Sequence, residues 1–169
     1  MKKTFCLIIS LLVFTLCGCN QRNSQTAAIS QGLSFTAEID YDAQKYKFKV
    51  QIPDIQNVSM EAVYPDRLKG TLYKFSGSDV NVSCKELDYK ISIQDLPKIS
   101  PITFIYEIYS DINTNDYEVN FENDEFYICG ESKNYRYNLF LGRTGLPLKI
   151  EDNENNISAV ITEASIIND

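Results

Sequence analysis

The chain has 169 residues, with 16 basic and 23 acidic side chains and a formal charge of −7. An acidic surface repels phosphate backbones, which argues against nucleic acid as a partner. The chain holds no histidine, which removes the commonest general base, His-based triads and the commonest metal ligand.

The N-terminus reads as an export signal. Lys2 and Lys3 precede Phe5 to Leu16, an almost wholly apolar run with Ser10 and Thr15 as its hydroxyl side chains. That order, charged and then apolar, is the order of a secretory signal. The run is shorter than the roughly 20 apolar residues a spanning helix needs. Leu16-Cys17-Gly18-Cys19 closes it and resembles the lipobox cut by lipoprotein signal peptidase. Residues 1–18 are therefore expected to be a lipoprotein signal peptide. Cys19 is expected to carry the lipid, diacylglycerol and acyl chains such as palmitate. The protein would then sit at the cell membrane, lipid-anchored and facing outside the cytoplasm. Loss of Lys2 and Lys3 would leave 14 basic against 23 acidic side chains, a formal charge of −9. Attachment must then come from the acyl chains rather than from a basic patch.

Of the five cysteines, Cys6 and Cys17 leave with the signal and Cys19 is lipidated, so Cys84 and Cys129 remain. They form either one disulfide, as exported proteins allow, or two free thiols. Residues 19–32 are mostly polar or small and read as a lipidated tether; residues 33–169 are expected to make one domain.

From Leu33 onward the hydrophobic period is two. Leu33, Phe35, Ala37, Ile39 and Tyr41 alternate with polar residues, then Tyr46, Phe48, Val50 and Ile52 do the same after Asp42-Ala43. This predicts an antiparallel hairpin with one wet face. A third strand runs to Tyr64 and stops at Pro65-Asp66, and a pair surrounds Ser76 to Asp79. Leu87 to Ile93 alternates again. Ser100-Pro101 breaks the period as an N-cap followed by proline at the first helical position. Ile102, Ile105, Tyr106, Tyr109 and Ile112 then recur at helical spacing, an amphipathic helix of about three turns. Five more short strands follow, between Tyr117 and Ile161, joined by turn residues. About eleven strands with one apolar face must curl to bury it. The expected fold is mainly β: a curved, incompletely closed antiparallel half-barrel with one amphipathic helix across its mouth.

The element order, the segment from Tyr137 to Pro147 with its Thr144-Gly145-Leu146-Pro147 return, and Leu68-Lys69-Gly70 before a strand resemble the LolA/LolB-like lipoprotein-localisation superfamily. The likeness spans about Leu33 to Ile167. It implies a half-barrel and, as ligand, an acyl chain or a lipoprotein. The family also has relatives in spore-forming Gram-positive bacteria, including a germination lipoprotein that resembles a partner of a cell-wall enzyme.

Three functions compete. In the first, Phe35, Ile39, Phe48, Val50, Met60 and Tyr64, with Ile105 and Tyr109 from the helix, line a hydrophobic cavity; the plainer alternative is that they form a packed core. In the second, tyrosines such as Tyr73, Tyr127 and Tyr135 mark a protein-interaction module at the cell envelope, although strands favour tyrosine in any case. The third, an enzyme, has least support. Asp116, Glu118, Glu122, Asp124 and Glu125 cluster without the spacing of a calcium loop. The sequence shows no phosphate loop and no nucleophile elbow. No catalytic residue, metal site or cofactor is expected.

Overall fold

The computed structural model describes residues 32–54, 57–115, 117–123 and 125–167. The signal segment, Cys19, the tether as far as Gln31, Asp116 and Asp124 lie outside the described residues. The strands are β1 (Leu33–Tyr41), β2 (Gln44–Asp54), β3 (Asn57–Tyr64), β4 (Leu72–Ser76), β5 (Asp79–Cys84) and β6 (Leu87–Ser92). A short 3-10 turn, Ile93–Asp95, leads to helix α1 (Pro101–Thr114). Then come β7 (Asn120–Glu122), β8 (Glu125–Glu131), β9 (Arg136–Leu141), β10 (Pro147–Asp152) and β11 (Ile157–Ile166).

All eleven strands join one antiparallel sheet in the order β6-β5-β4-β3-β2-β1-β11-β10-β9-β8-β7. Two meanders meet at the centre, where β1 pairs with β11. Helix α1 carries the chain from one edge of the sheet to the other. The edge strands β6 and β7 do not pair with each other, so the barrel stays open. This is the fold class expected from the alternating pattern.

One magnitude shows that the sheet must curl. Tyr106 of α1 stacks on Phe75 of β4, and Asp111 of α1 bonds Tyr137 of β9. Six strand steps separate β4 from β9, about 29 Å in a flat sheet at ~4.8 Å per step. A helix is only about 10–12 Å across, so the sheet has to wrap around it. Bulges help, because an extra residue bends and twists a strand. One lies in β11 opposite Ser34 and Thr36, where Glu163 takes a positive φ of 55°. Others lie where β2 meets β3 and where β9 meets β10.

The apolar alternation becomes one core. Phe35, Phe48, Val50, Met60, Phe75, Leu139 and Ile150 from the sheet meet Phe104, Ile105, Ile108 and Tyr109 from α1. Among the described residues this core cluster runs from Leu33 to Ile166.

One sequence expectation changes. Strict alternation puts Tyr64 on the inner face, yet it is 51 % exposed. The shift between β2 and β3 sets Tyr64 opposite Lys47, while Ala62 stays opposite buried Phe48. The bulge turns Tyr64 outward. Of the two alternatives for Cys84 and Cys129, the structure holds the free thiols: neither is bridged among the described residues. β4, β3, β2, β1, β11, β10 and β9 lie between their strands, and Cys129 is exposed while its neighbour Ile128 is buried.

The β1–β2 turn holds positive φ at both Asp42 (50°) and Ala43 (57°), as a type I′ hairpin requires. Alanine is strained there and glycine is not. Ala43→Gly is expected to raise the unfolding free energy by about 0.5–1 kcal/mol, after glycine's entropy cost is subtracted. Urea unfolding checks this; an unchanged or lower midpoint would contradict it.

Candidate functional site

The candidate site is the concave face of the sheet together with α1. Local sequence explains why the helix starts where it does. Ser100 is the N-cap, its Oγ accepting from the Thr103 backbone N–H at 3.2 Å, and Pro101 occupies the first turn. Proline is tolerated there because that N–H has no helical partner.

Polar groups then fix one side of α1 to the β8–β9 half of the sheet. The Tyr135 hydroxyl lies 2.7 Å from Thr103 Oγ1 and accepts from the Ser100 N–H at 3.0 Å. The Glu107 carboxylate accepts from Asn134 Nδ2 at 2.7 Å, the Asn134 N–H at 3.2 Å and Ser132 Oγ at 3.3 Å. The Asp111 carboxylate accepts from the hydroxyls of Tyr137, at 2.8 Å, and Tyr117. Gly130 makes the last contact feasible. A Cβ at that position would lie 2.3 Å from the Tyr137 Cζ and hydroxyl oxygen. Only glycine leaves the phenol room to cross β8 and reach the helix.

The other side of α1 meets the β1–β5 half chiefly through rings. Tyr106 stacks on Phe75 with centroids 4.3 Å apart, and Tyr109 packs on Phe35 at 5.3 Å. Two longer hydrogen bonds supplement them, from the Tyr106 hydroxyl to the Gly77 carbonyl at 3.3 Å and from the Tyr41 hydroxyl to the Ile99 carbonyl at 3.4 Å.

Seven of the eight residues proposed to line a cavity lie in the core shared by sheet and helix: Phe35, Ile39, Phe48, Val50, Met60, Ile105 and Tyr109. Tyr64 is outside it. An open depression of about 220 Å³ lies instead among outer-face residues, including Ser34, Thr36, Lys49, Gln51, Ser59 and Glu61. Its polar lining suits no acyl chain. Among the described residues no group of three or more acidic or cysteine side chains is placed to hold a metal.

Glu107 and Asp111 went unassigned in the sequence, as did the partners Asn134, Tyr117 and Tyr137. Their signal was available: two acids four residues apart lie on one helix face, beside the apolar stripe. Nothing local indicates which strand they meet.

No family model and no curated protein matches this sequence. Solved structures do resemble it. An uncharacterized conserved protein from Thermus thermophilus is 13% identical, with 86% of this chain and 85% of that chain covered, at a TM-score of 0.53. A LolA superfamily protein from Nitrosomonas europaea is 13% identical, with coverage of 86% and 91% and a TM-score of 0.46. A putative outer membrane lipoprotein-sorting protein domain from Vibrio parahaemolyticus is 14% identical, with coverage of 82% and 86% and a TM-score of 0.43. At 13% identity the likeness to the Thermus thermophilus protein is one of fold.

Burial holds several phenols in the neutral form. It pushes Tyr135 up to about 12, and it raises Tyr109 and Tyr137 as well, the latter with help from Tyr117 and Asp111. The unfolded chain ionises its tyrosines near 10. Above that pH the unfolded chain has lost protons that the fold retains, so stability falls as pH rises. Stability is expected to be undiminished by these groups below pH ~10 and to be lost progressively toward pH ~12. Tyrosinate absorbance should show a group that ionises only as circular dichroism is lost. Titration of all eleven tyrosines with the fold intact would contradict this.

Proposed function

We propose that this protein is a non-catalytic, lipid-anchored module outside the cytoplasm that takes an apolar ligand between α1 and the concave face of its sheet. The observation that carries this reading is a single row of inner-face side chains. Register aligns Phe35 with Val50, Val50 with Met60, Met60 with Tyr73, Tyr73 with Val82, and Val82 with Tyr89. The first four are buried, Val82 is half-buried and Tyr89 is 56 % exposed. An unbroken apolar track therefore runs from the core to the β6 edge, five strand steps or about 24 Å along the sheet. The opposite edge ends similarly, with Leu141 buried, Phe126 half-buried and Phe121 60 % exposed. A track of this kind suits an acyl chain, each buried methylene contributing about 0.8 kcal/mol.

A second reading, a protein-interaction module, has its own observation. β6 is an edge strand with exposed Leu87 and Tyr89, and such an edge can accept another strand.

Native mass of the acyl-free chain, Gln21 to Asp169, purified from a bacterial cytosol, separates the two. A co-purified apolar molecule released by organic solvent, or uptake of added lipid, is the expected result. A clean apo mass with no uptake would leave the partner reading.

Anchoring is tested separately. Cys19→Ala is expected to abolish labelling by a palmitate analogue in a bacterial host and to move the protein out of the membrane fraction. Retained label would refute lipidation at Cys19.

A further inference from the structure

We infer that Tyr109 is the polar anchor of a ligand site between α1 and the β1–β5 half of the sheet, and that the ligand is a single apolar chain ending in an uncharged oxygen acceptor. This rests on the apolar-ligand reading above and narrows it.

The first observation is an orphan. The Tyr109 residue is 1 % exposed, and its hydroxyl has no hydrogen-bond partner among the described residues. Buried polar groups in native proteins are nearly always paired, because an unmade bond forfeits their hydration. The other phenols at the helix, Tyr106, Tyr117, Tyr135 and Tyr137, all have partners. A donor left over in the core is one that something else completes.

The second observation is position. Tyr109 packs on Phe35, the inner end of the apolar row that emerges at Tyr89. A chain lying along that row would bring one end to the phenol and leave the other at the β6 edge. Tyr109 is also on the separable side of α1. Glu107 and Asp111 tie the helix to the β8–β9 turn, to β9 and to Tyr117 through carboxylate bonds, whereas the β1–β5 half is met mainly through ring contacts. Ring contacts carry no charge, so a methylene chain can take their place without stranding an ionised group. Movement of α1 with the β8–β9 hairpin would open the row while keeping its charged bonds.

Chemistry restricts the ligand's end. The only charged side chain among the described buried residues is Asp152, whose carboxylate is occupied by the Arg136, Glu154 and Asn155 N–H groups and the Asn155 amide. An ionised carboxylate or phosphate brought to Tyr109 would thus lack a countercharge, which is prohibitive in a low-dielectric core. A neutral carbonyl or ester oxygen needs one donor, and the phenol, held protonated by burial, supplies it.

The test uses methyl nonanoate and nonane as paired probes, matched in chain and differing in the acceptor, with binding to Gln21–Asp169 read by headspace partitioning. Tyr109→Phe is expected to weaken methyl nonanoate binding about three- to tenfold, the weight of one hydrogen bond, and to leave nonane binding unchanged. The variant should also unfold at the same temperature or higher, since it loses an unpaired buried hydroxyl. Equal binding of the ester by both proteins would overturn the anchor while leaving the apolar site standing. A marked loss of thermal stability would overturn it too, by showing that the hydroxyl already has a partner. Failure of the wild-type protein to bind either probe would remove the apolar-ligand reading itself.

Discussion

The structure depends on one constraint: an open sheet with a single apolar face cannot bury that face alone. A closed barrel fills its interior from all sides. Among the described strands β6 and β7 are the edges and do not pair with each other, so the concave face needs a cover. Helix α1 is the only described element that supplies one. Its 14 residues reach about 21 Å, and its buried Phe104, Ile105, Ile108, Tyr109 and Ile112 complete the core. Each such side chain contributes about 1.5–3 kcal/mol on burial. The curvature of the sheet, the placement of the bulges and the route of the chain from edge to edge all follow from wrapping eleven strands around that one cylinder.

The cover is attached unevenly. Carboxylates at Glu107 and Asp111 receive phenol, amide and hydroxyl donors from β9 and from the segments flanking it and the helix. Hydrogen bonds to charged acceptors are short and directional, and they set the helix at one height and rotation. On the other side stacked rings provide apolar area without charged acceptors. A helix held this way has one side set by hydrogen bonds to charged groups and one side set mainly by apolar packing. Asp152 plays the same organising part at the β10–β11 turn, where a buried carboxylate collects four N–H bonds.

Much of the fold was legible in the sequence because its signals are local. Alternation marked the hairpin faces from Leu33 to Ile52, and Ser100-Pro101 marked the helix start that the structure shows. What escaped depends on contacts far apart in the chain. Tyr64 obeys the alternation of its own strand, and only a bulge against Lys47 turns it out. Leu87 and Tyr89 alternate like core residues, yet they extend past the helix that would cover them. Cys84 and Cys129 are separated by strand order, which spacing cannot reveal. For the candidate site, the apolar lining was readable residue by residue. The Glu107 and Asp111 partners were not, because a carboxylate beside an apolar stripe looks the same whether it meets water or a phenol.

The composition of the interior also bears on what such a module can carry. The described buried set contains no lysine and no arginine; its polar members are Thr36, Thr71, Thr103 and Asp152. With no buried cation, an ionised headgroup could enter only by losing its hydration without a countercharge. The acidic surface adds a weak, salt-screened repulsion. Phospholipid or lipoprotein ligands would therefore have to keep their headgroups at the rim, where exposed Leu87, Tyr89 and Phe121 continue the apolar face toward solvent. Only neutral chains could pass wholly inside. The division between rim and interior thus turns on charge rather than on length, because the apolar row already spans most of one half of the sheet.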